Sequence, residues 1–218
     1  NEKEIFLYRE YNTKPFYISA NNFSNCLLKY HQKWFPHDYV FLSFIMGNDF
    51  LPHNYALYMR QGLLDVVLDI CKSIYTELNE KLIIDNKINY IFLCKLIRKL
   101  ADKEDELVTK RVDTMVYKKL VRHGHSPEER FEYWPDYHRN KEIKINFGKD
   151  GWRERYYKII GHEDDVEKMC QEYVNGLAWN LKYYTSEDST DKCINQAWYY
   201  PYLHAPLLKD LADYLEKN

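Results

Sequence analysis

Apolar residues along positions 166–184 recur every three or four places: Val166, Met169, Cys170, Tyr173, Val174, Leu177 and Leu181 fall on one stripe. That period predicts the best-defined helix of the chain. Positions 62–78 repeat it through Leu63, Val67, Ile70, Cys71, Ile74 and Leu78, and positions 90–107 through Leu93, Leu96, Ile97 and Leu100. Phe23, Leu27 and Leu28 have helical spacing within 22–30. The run 38–46 follows Pro36, is strongly apolar and leads into Gly47-Asn48-Asp49. A buried helix with a Gly-Asn stop is the expectation there.

Asp85-Asn86 lies in a connector, and 102–106 reads as a charged helix end. A more charged helix is expected over 109–122. Ser126-Pro127-Glu128-Glu129 has a capping Ser, a Pro suited to the first turn and a Glu three places on, so it predicts another helix start. Positions 134–151 carry Pro, Asn, Gly and alternating charge and read as an exposed loop. Positions 186–195 are polar and loop-like, 198–206 irregular but packed, and 207–215 a short closing helix. Ile5-Phe6-Leu7-Tyr8 and Phe16-Tyr17-Ile18 have strand character. The expected fold class is mainly α, with a few strand residues near the start.

Composition sharpens this. Hydrophobic residues make up 45% of the 218, enough to bury a core and to exclude wholesale disorder. Tyrosine has a polar tip, so many of the 21 tyrosine rings should sit at edges, grooves or interfaces rather than in dry core. Net charge is −2, yet positions 108–158 hold an excess of +5, so the remainder carries −7. A basic middle can follow a phosphate backbone, or it can be a solvated face. Cys26, Cys71, Cys94, Cys170 and Cys193 are scattered and odd in number, which argues against a zinc site or a disulfide framework and fits a reducing compartment. No signal peptide is visible, and the longest apolar run, 39–46, is too short to span a bilayer. An intracellular location, cytoplasmic or nuclear, without membrane attachment is the expectation. The abrupt start at Asn1 reads as a cut within a larger protein.

Two strings carry candidate chemistry. Gly47-Asn48-Asp49-Phe50-Leu51-Pro52-His53 puts a carboxylate at the end of an apolar element. Hard divalent cations take carboxylate oxygens, and phosphoryl transfer commonly uses two such ions. The plainer reading is turn chemistry with a solvated Asp49. His53 could orient a phosphate or be structural. Trp198-Tyr199-Tyr200-Pro201-Tyr202 could be a base-stacking platform or an aromatic plug. Asp164-Asp165 starts a helix, where acidic residues suit the dipole. His123-Gly124-His125 reads as a surface turn, and no Ser-His-Asp or Cys-His arrangement or Gly-rich phosphate loop is present. No second acidic pair looks set in an apolar frame, so any co-ligands of Asp49 are expected outside this sequence.

The string Phe41-Leu42-Ser43-Phe44-Ile45-Met46-Gly47-Asn48-Asp49-Phe50-Leu51-Pro52-His53 closely resembles the signature that ends the nuclease core of the XRN family of eukaryotic 5′→3′ exoribonucleases. The resemblance continues in order: Gly62-Leu63-Leu64-Asp65, Ala101-Asp102-Lys103-Glu104-Asp105-Glu106, Trp152-Arg153-Glu154-Arg155-Tyr156-Tyr157, Tyr173-Val174-Asn175-Gly176-Leu177-Ala178-Trp179 with Tyr183-Tyr184, and Trp198 to Tyr202 with Ala205-Pro206. Where the family often has an earlier Trp, this chain has Gln196, and Asn54-Tyr55 replaces a usual Pro.

The resemblance implies a helical domain, 54–218, following the tail end of an α/β (PIN/FEN-like) nuclease core, 1–53. It implies degradation of single-stranded RNA with a 5′-monophosphate to mononucleotides, using Mg²⁺ (or Mn²⁺). Asp49 matches the last metal ligand, and Trp198 is the candidate for stacking on a base. The other ligands and the 5′-phosphate pocket would lie in the N-terminal remainder of the nuclease core. The isolated piece would then be unable to complete the chemistry alone. The rival expectations are a non-catalytic RNA- or partner-binding module that keeps the fold, and a helical scaffold without nucleic acid.

Overall fold

The computed structural model describes residues 4–11, 14–30, 36–57, 63–121, 144–186 and 194–218. Among these the chain is mainly helical. A hairpin of β1 (Phe6–Tyr11) and β2 (Lys14–Ser19) runs into α1 (Ala20–Tyr30), then α2 (Pro36–Ile45) and α3 (Leu63–Leu78). A second hairpin, β3 (Ile83–Ile84) and β4 (Lys87–Ile88), leads to α4 (Tyr90–Ala101) and α5 (Glu104–Val121). After it come α6 (Trp152–Ile160), α7 (Val166–Thr185) and α8 (Leu208–Lys217). The predicted helix start at Ser126, the His123-Gly124-His125 turn and most of the polar 186–195 stretch lie outside the described residues.

The periodic stripes form the core as the spacing requires. Leu93, Leu96, Ile97 and Leu100 of α4 are fully buried, as are Cys71 and Ile74 of α3 and Met169 and Leu177 of α7. Each such aliphatic side chain contributes about 1.5–3 kcal/mol relative to exposure. Helix α8 packs on α4 and α7, α4 on α3, and α7 on α2. The α3–α4 connector is tighter than a plain loop. Asp85 and Asn86 both have positive φ, 50° and 56°, which makes the two-residue turn of a small hairpin. Asp38 of α2 is buried and accepts from Ile83 N–H at 2.7 Å, fixing that hairpin to the bundle.

Two expectations need correction. The segment expected as one helix over 90–107 is two, broken at Asp102-Lys103. Residues 104–106 therefore begin α5 rather than end α4. The reason is Glu104, which is fully buried. Its carboxylate accepts from Leu208 N–H at 2.6 Å and Lys209 N–H at 3.4 Å, and pairs with the Arg153 guanidinium. Leu207, at the N-cap of α8, has no side-chain acceptor, so Glu104 supplies the cap from another helix. An acidic group in an apolar frame was thus present but unrecognised.

Second, the described part of the expected 134–151 loop is not simply exposed. Ile145 is fully buried, and the nearly buried Phe147 stacks on Tyr55 at 3.8 Å between centroids. Ile145 and Phe147 turn inward while Lys144 and Asn146 turn out, a two-residue alternation hidden among charges. The Arg111 guanidinium lies 3.9 Å from the Tyr55 ring centroid. As expected of polar-tipped rings, Tyr8, Tyr17, Tyr90, Tyr183, Tyr184 and Tyr199 are exposed, and the tyrosines that do enter the core satisfy their hydroxyls there. Tyr156 and Tyr173 are 2% and 1% exposed, and both hydroxyls donate to backbone carbonyls, Tyr156 to Ala205 at 2.7 Å.

The strands at the start form an antiparallel hairpin with Tyr8 opposite Tyr17. Its apolar side chains, Phe6, Leu7, Tyr8, Tyr17 and Ile18, are exposed. No helix in the described residues is long and apolar enough to cross a membrane.

Candidate metal-ligand loop and its aromatic ridge

Residues 47–53 leave α2 through Gly47, whose φ of 95° suits glycine alone. A β-carbon there would stand 2.7 Å from His53 Cβ and 2.8 Å from His53 N. His53 therefore lies, half-buried, against Gly47 at the base of the loop. Asn48 holds the turn from within. Its Oδ1 accepts from Phe50 N–H and Leu51 N–H, both at 2.9 Å, and its backbone N–H donates to Leu51 O at 3.0 Å. This is an Asx-type turn, which leaves Asp49 exposed at its tip.

The loop is tied to α7 by side chains distant in sequence. Asn48 Nδ2 donates to Asn180 Oδ1 at 2.8 Å, and the fully buried Asn180 donates in turn to Gly176 O at 2.9 Å. The Tyr173 hydroxyl donates to Pro52 O at 3.2 Å. Leu51 is 1% exposed and seats over Gly176, where a β-carbon would come within 2.6 Å of Leu51 Cδ2 and 2.8 Å of the Trp198 ring. Only a glycine in α7 lets the loop and Trp198 approach this closely.

Phe50 continues the contact as an aromatic wedge. Its ring is edge-on to Trp179 and to Tyr183, each at 4.9 Å, and to Tyr184 at 6.4 Å. Trp179 stacks on Tyr183 at 5.2 Å and leans on Trp198 at 5.3 Å. Asn195 O accepts from Trp179 Nε1 at 2.9 Å and from Trp198 N–H at 3.2 Å. The structure therefore joins Phe50, the chain neighbour of Asp49, to Trp198 through Trp179 in one aromatic assembly. Within the Trp198 string, Tyr200 behaves as a plug: it is buried, and its hydroxyl donates to His204 O at 3.0 Å. Tyr199 is 74% exposed, and Trp198 is partly buried against the core.

Sequence reasoning passed over Phe50, Trp179, Tyr183 and Tyr184 as site residues. The i,i+4 spacing of Trp179 and Tyr183 was the available signal, since such pairs share a helix face. Burial, and then the negative charge of Asp49, hold the Tyr184 phenol above its ordinary pKa. Among the described residues no group of three or more His, Cys, Asp or Glu side chains is assembled to hold a metal. An exposed carboxylate on a clamped loop suits one oxygen ligand of a site shared with other acidic groups.

A helical bundle bearing a clamped acidic loop beside an aromatic ridge is the class defined by this geometry. The chain belongs to the family described as the Xrn1 helical domain, which it matches over residues 35–132 and 129–216. It is 34% identical over 82 residues to 5′-3′ exoribonuclease 2 of Eremothecium gossypii, covering 38% of this chain and 9% of that protein. It is 23% identical over 228 residues to the 5′-3′ exoribonuclease 2 homolog of Drosophila melanogaster, covering 81% of this chain and 24% of that one. With 5′-3′ exoribonuclease 2 of Gallus gallus it shares 24% identity over 245 residues, 79% of this chain and 25% of the relative. The chain thus spans a quarter or less of the length of these relatives.

Proposed function

We propose that this chain acts within a longer 5′→3′ exoribonuclease, as its helical domain together with the final stretch, 1–53, of the nuclease core. The observation that carries the reading is the Asp49 loop. Its backbone is fixed by Asn48, its rear packs on α7, and its carboxylate is presented outward beside an aromatic ridge. Relatives named as 5′-3′ exoribonucleases support it.

In this reading Asp49 supplies one oxygen ligand to Mg²⁺ (or Mn²⁺), and the remaining ligands come from polypeptide preceding this chain. When bound, the ions would activate water and neutralise charge on the transferring phosphoryl group. Asp49 holds its carboxylate in place as a ligand and takes no proton from water. Trp198, braced by Trp179, is the residue proposed to stack on a base. His53, at the loop's base against Gly47, positions the loop and is the second residue proposed to face a phosphate. The substrate is single-stranded RNA carrying a 5′-monophosphate.

The test uses the full-length gene product with otherwise identical RNAs bearing a 5′-monophosphate, a 5′-triphosphate or a 5′-hydroxyl. Release of mononucleotides from the monophosphorylated RNA alone, abolished by chelation and restored by Mg²⁺, is the expected result. A full-length protein that binds RNA and degrades none of the three would overturn the reading in favour of a non-catalytic module.

A further inference from the structure

Of the aromatic residues on α7, Tyr173 is buried and Trp179 partly so, but near the C-terminal end two are open: Tyr183 is 46% exposed and Tyr184 49%. Their rings stand at 85° to each other with centroids 5.2 Å apart, so they make a corner. Each ring is backed. Tyr183 lies nearly parallel to Trp179, 14° between planes at 5.2 Å, and Tyr184 nearly parallel to Phe44, 23° at 5.1 Å. Phe50 is wedged edge-on against both tyrosines. The backing rings hold the tyrosines in place before anything binds, and a pre-ordered aromatic surface loses little conformational entropy on binding.

The corner adjoins the candidate metal ligand, because Asp49 immediately precedes Phe50. We propose that Tyr183 and Tyr184 seat the nucleotide whose phosphate is delivered to Asp49, acting as positioning residues rather than as catalytic ones. This rests on the reading of Asp49 as a metal ligand in a ribonuclease. The occupant follows from shape and charge. A planar base can lie on one ring while its neighbouring ribose or base edge meets the other. A bare phosphate would be repelled by the Asp49 carboxylate, and a shared divalent cation removes that repulsion. The faces of the two phenol rings carry no donor–acceptor pattern, so recognition here is by stacking and tolerates sequence, and the larger purine rings should stack more strongly than pyrimidines.

The experiment uses the full-length protein and separates this inference from the one beneath it. Affinity for short 5′-monophosphorylated oligo(A) and oligo(U) is measured by fluorescence titration in an Asp49→Asn background, where turnover does not interfere. Added Tyr183→Ala or Tyr184→Ala should weaken oligo(A) binding by about 5-fold to about 150-fold, the range expected for one lost base–aromatic stack. The oligo(A) to oligo(U) ratio should collapse toward one, and Tyr→Phe should restore both. Unchanged affinity, or equal loss for both RNAs whatever the melting temperature, would overturn the corner. Turnover in Asp49→Asn itself tests only the metal-ligand reading, so the two failures are told apart.

Discussion

Asn48 and Asn180 are joined side chain to side chain at 2.8 Å across 132 residues of sequence. The contact fixes the loop that bears Asp49 to α7, which carries Trp179, Tyr183 and Tyr184 of the aromatic ridge. A surface loop with that content would otherwise sample many conformers, and a metal ligand must be held in place before the ion arrives.

Replacing Asn180 by Ala removes a fully buried amide and leaves Asn48 Nδ2 without its acceptor. The expected loss of stability is about 1–3 kcal/mol, read by denaturant unfolding. Turnover should fall further than the fraction unfolded explains, since the loop is released. Turnover that simply tracks the folded fraction would remove Asn180 from the site.

Gly176→Ala should destabilise, although Ala is about 1 kcal/mol the better helix former. The added carbon meets Leu51 Cδ2 at 2.6 Å and the Trp198 ring at 2.8 Å. Overpacking of this kind costs about 1–3 kcal/mol. Combining it with Leu51→Ala relieves the tighter of these contacts and leaves the one with Trp198, so a double-mutant cycle should show a favourable coupling that recovers part of the cost. Simple additivity would show that the loop does not sit on α7 as described.

Glu104→Ala strips α8 of its cap and leaves the Arg153 guanidinium, which also meets Asp105, without its main partner. Breaking such a buried pair typically costs about 3–5 kcal/mol. Hydrogen exchange at the Leu208 and Lys209 amides should accelerate beyond the global change, because those N–H groups lose their acceptor. Glu104→Gln keeps one acceptor oxygen and should lose less.

Burial pushes the Asp210 carboxyl above the usual range, against the opposing pull of the Tyr157 hydroxyl, which donates to it at 2.7 Å, and of Arg153. A carboxyl raised in the folded state keeps its proton longer there than in the unfolded chain. Its contribution to stability is then greatest below the unfolded value, about 3.9, and declines as pH rises toward the folded value. Asp210→Asn should remove that decline. Wild-type stability minus variant stability should therefore fall as pH rises from about 4. A difference that is flat or rises with pH contradicts the assignment.

What the sequence could reveal follows from how far each interaction reaches. Helices α3, α4 and α7 were legible because a single apolar stripe repeats within each. The α4–α5 break was not, because Asp102, Lys103 and Glu104 carry no glycine or proline and Leu100 and Val108 keep the apolar pattern going. What turns the chain there is the pairing of Glu104 with Arg153 and Leu208, contacts made 49 and 104 residues away. The buried Ile145 and Phe147 were lost because the short alternation of Ile143, Ile145 and Phe147 is outweighed by the Pro, Asn, Gly and charge around it. Asp49 was visible as a motif. Its support was not, since nothing local announces that Asn48 meets Asn180 or that Gly176 exists to admit Leu51.

The most direct test of the whole account is single-turnover degradation of 5′-monophosphorylated RNA by the full-length protein carrying Asp49→Asn, in Mg²⁺, with its melting temperature measured alongside. The account predicts an unchanged fold, retained RNA binding and a cleavage rate lowered at least about a hundredfold. A variant that cleaves within about twofold of the wild-type rate would contradict it, and Asp49 would then be only the solvated tip of a turn.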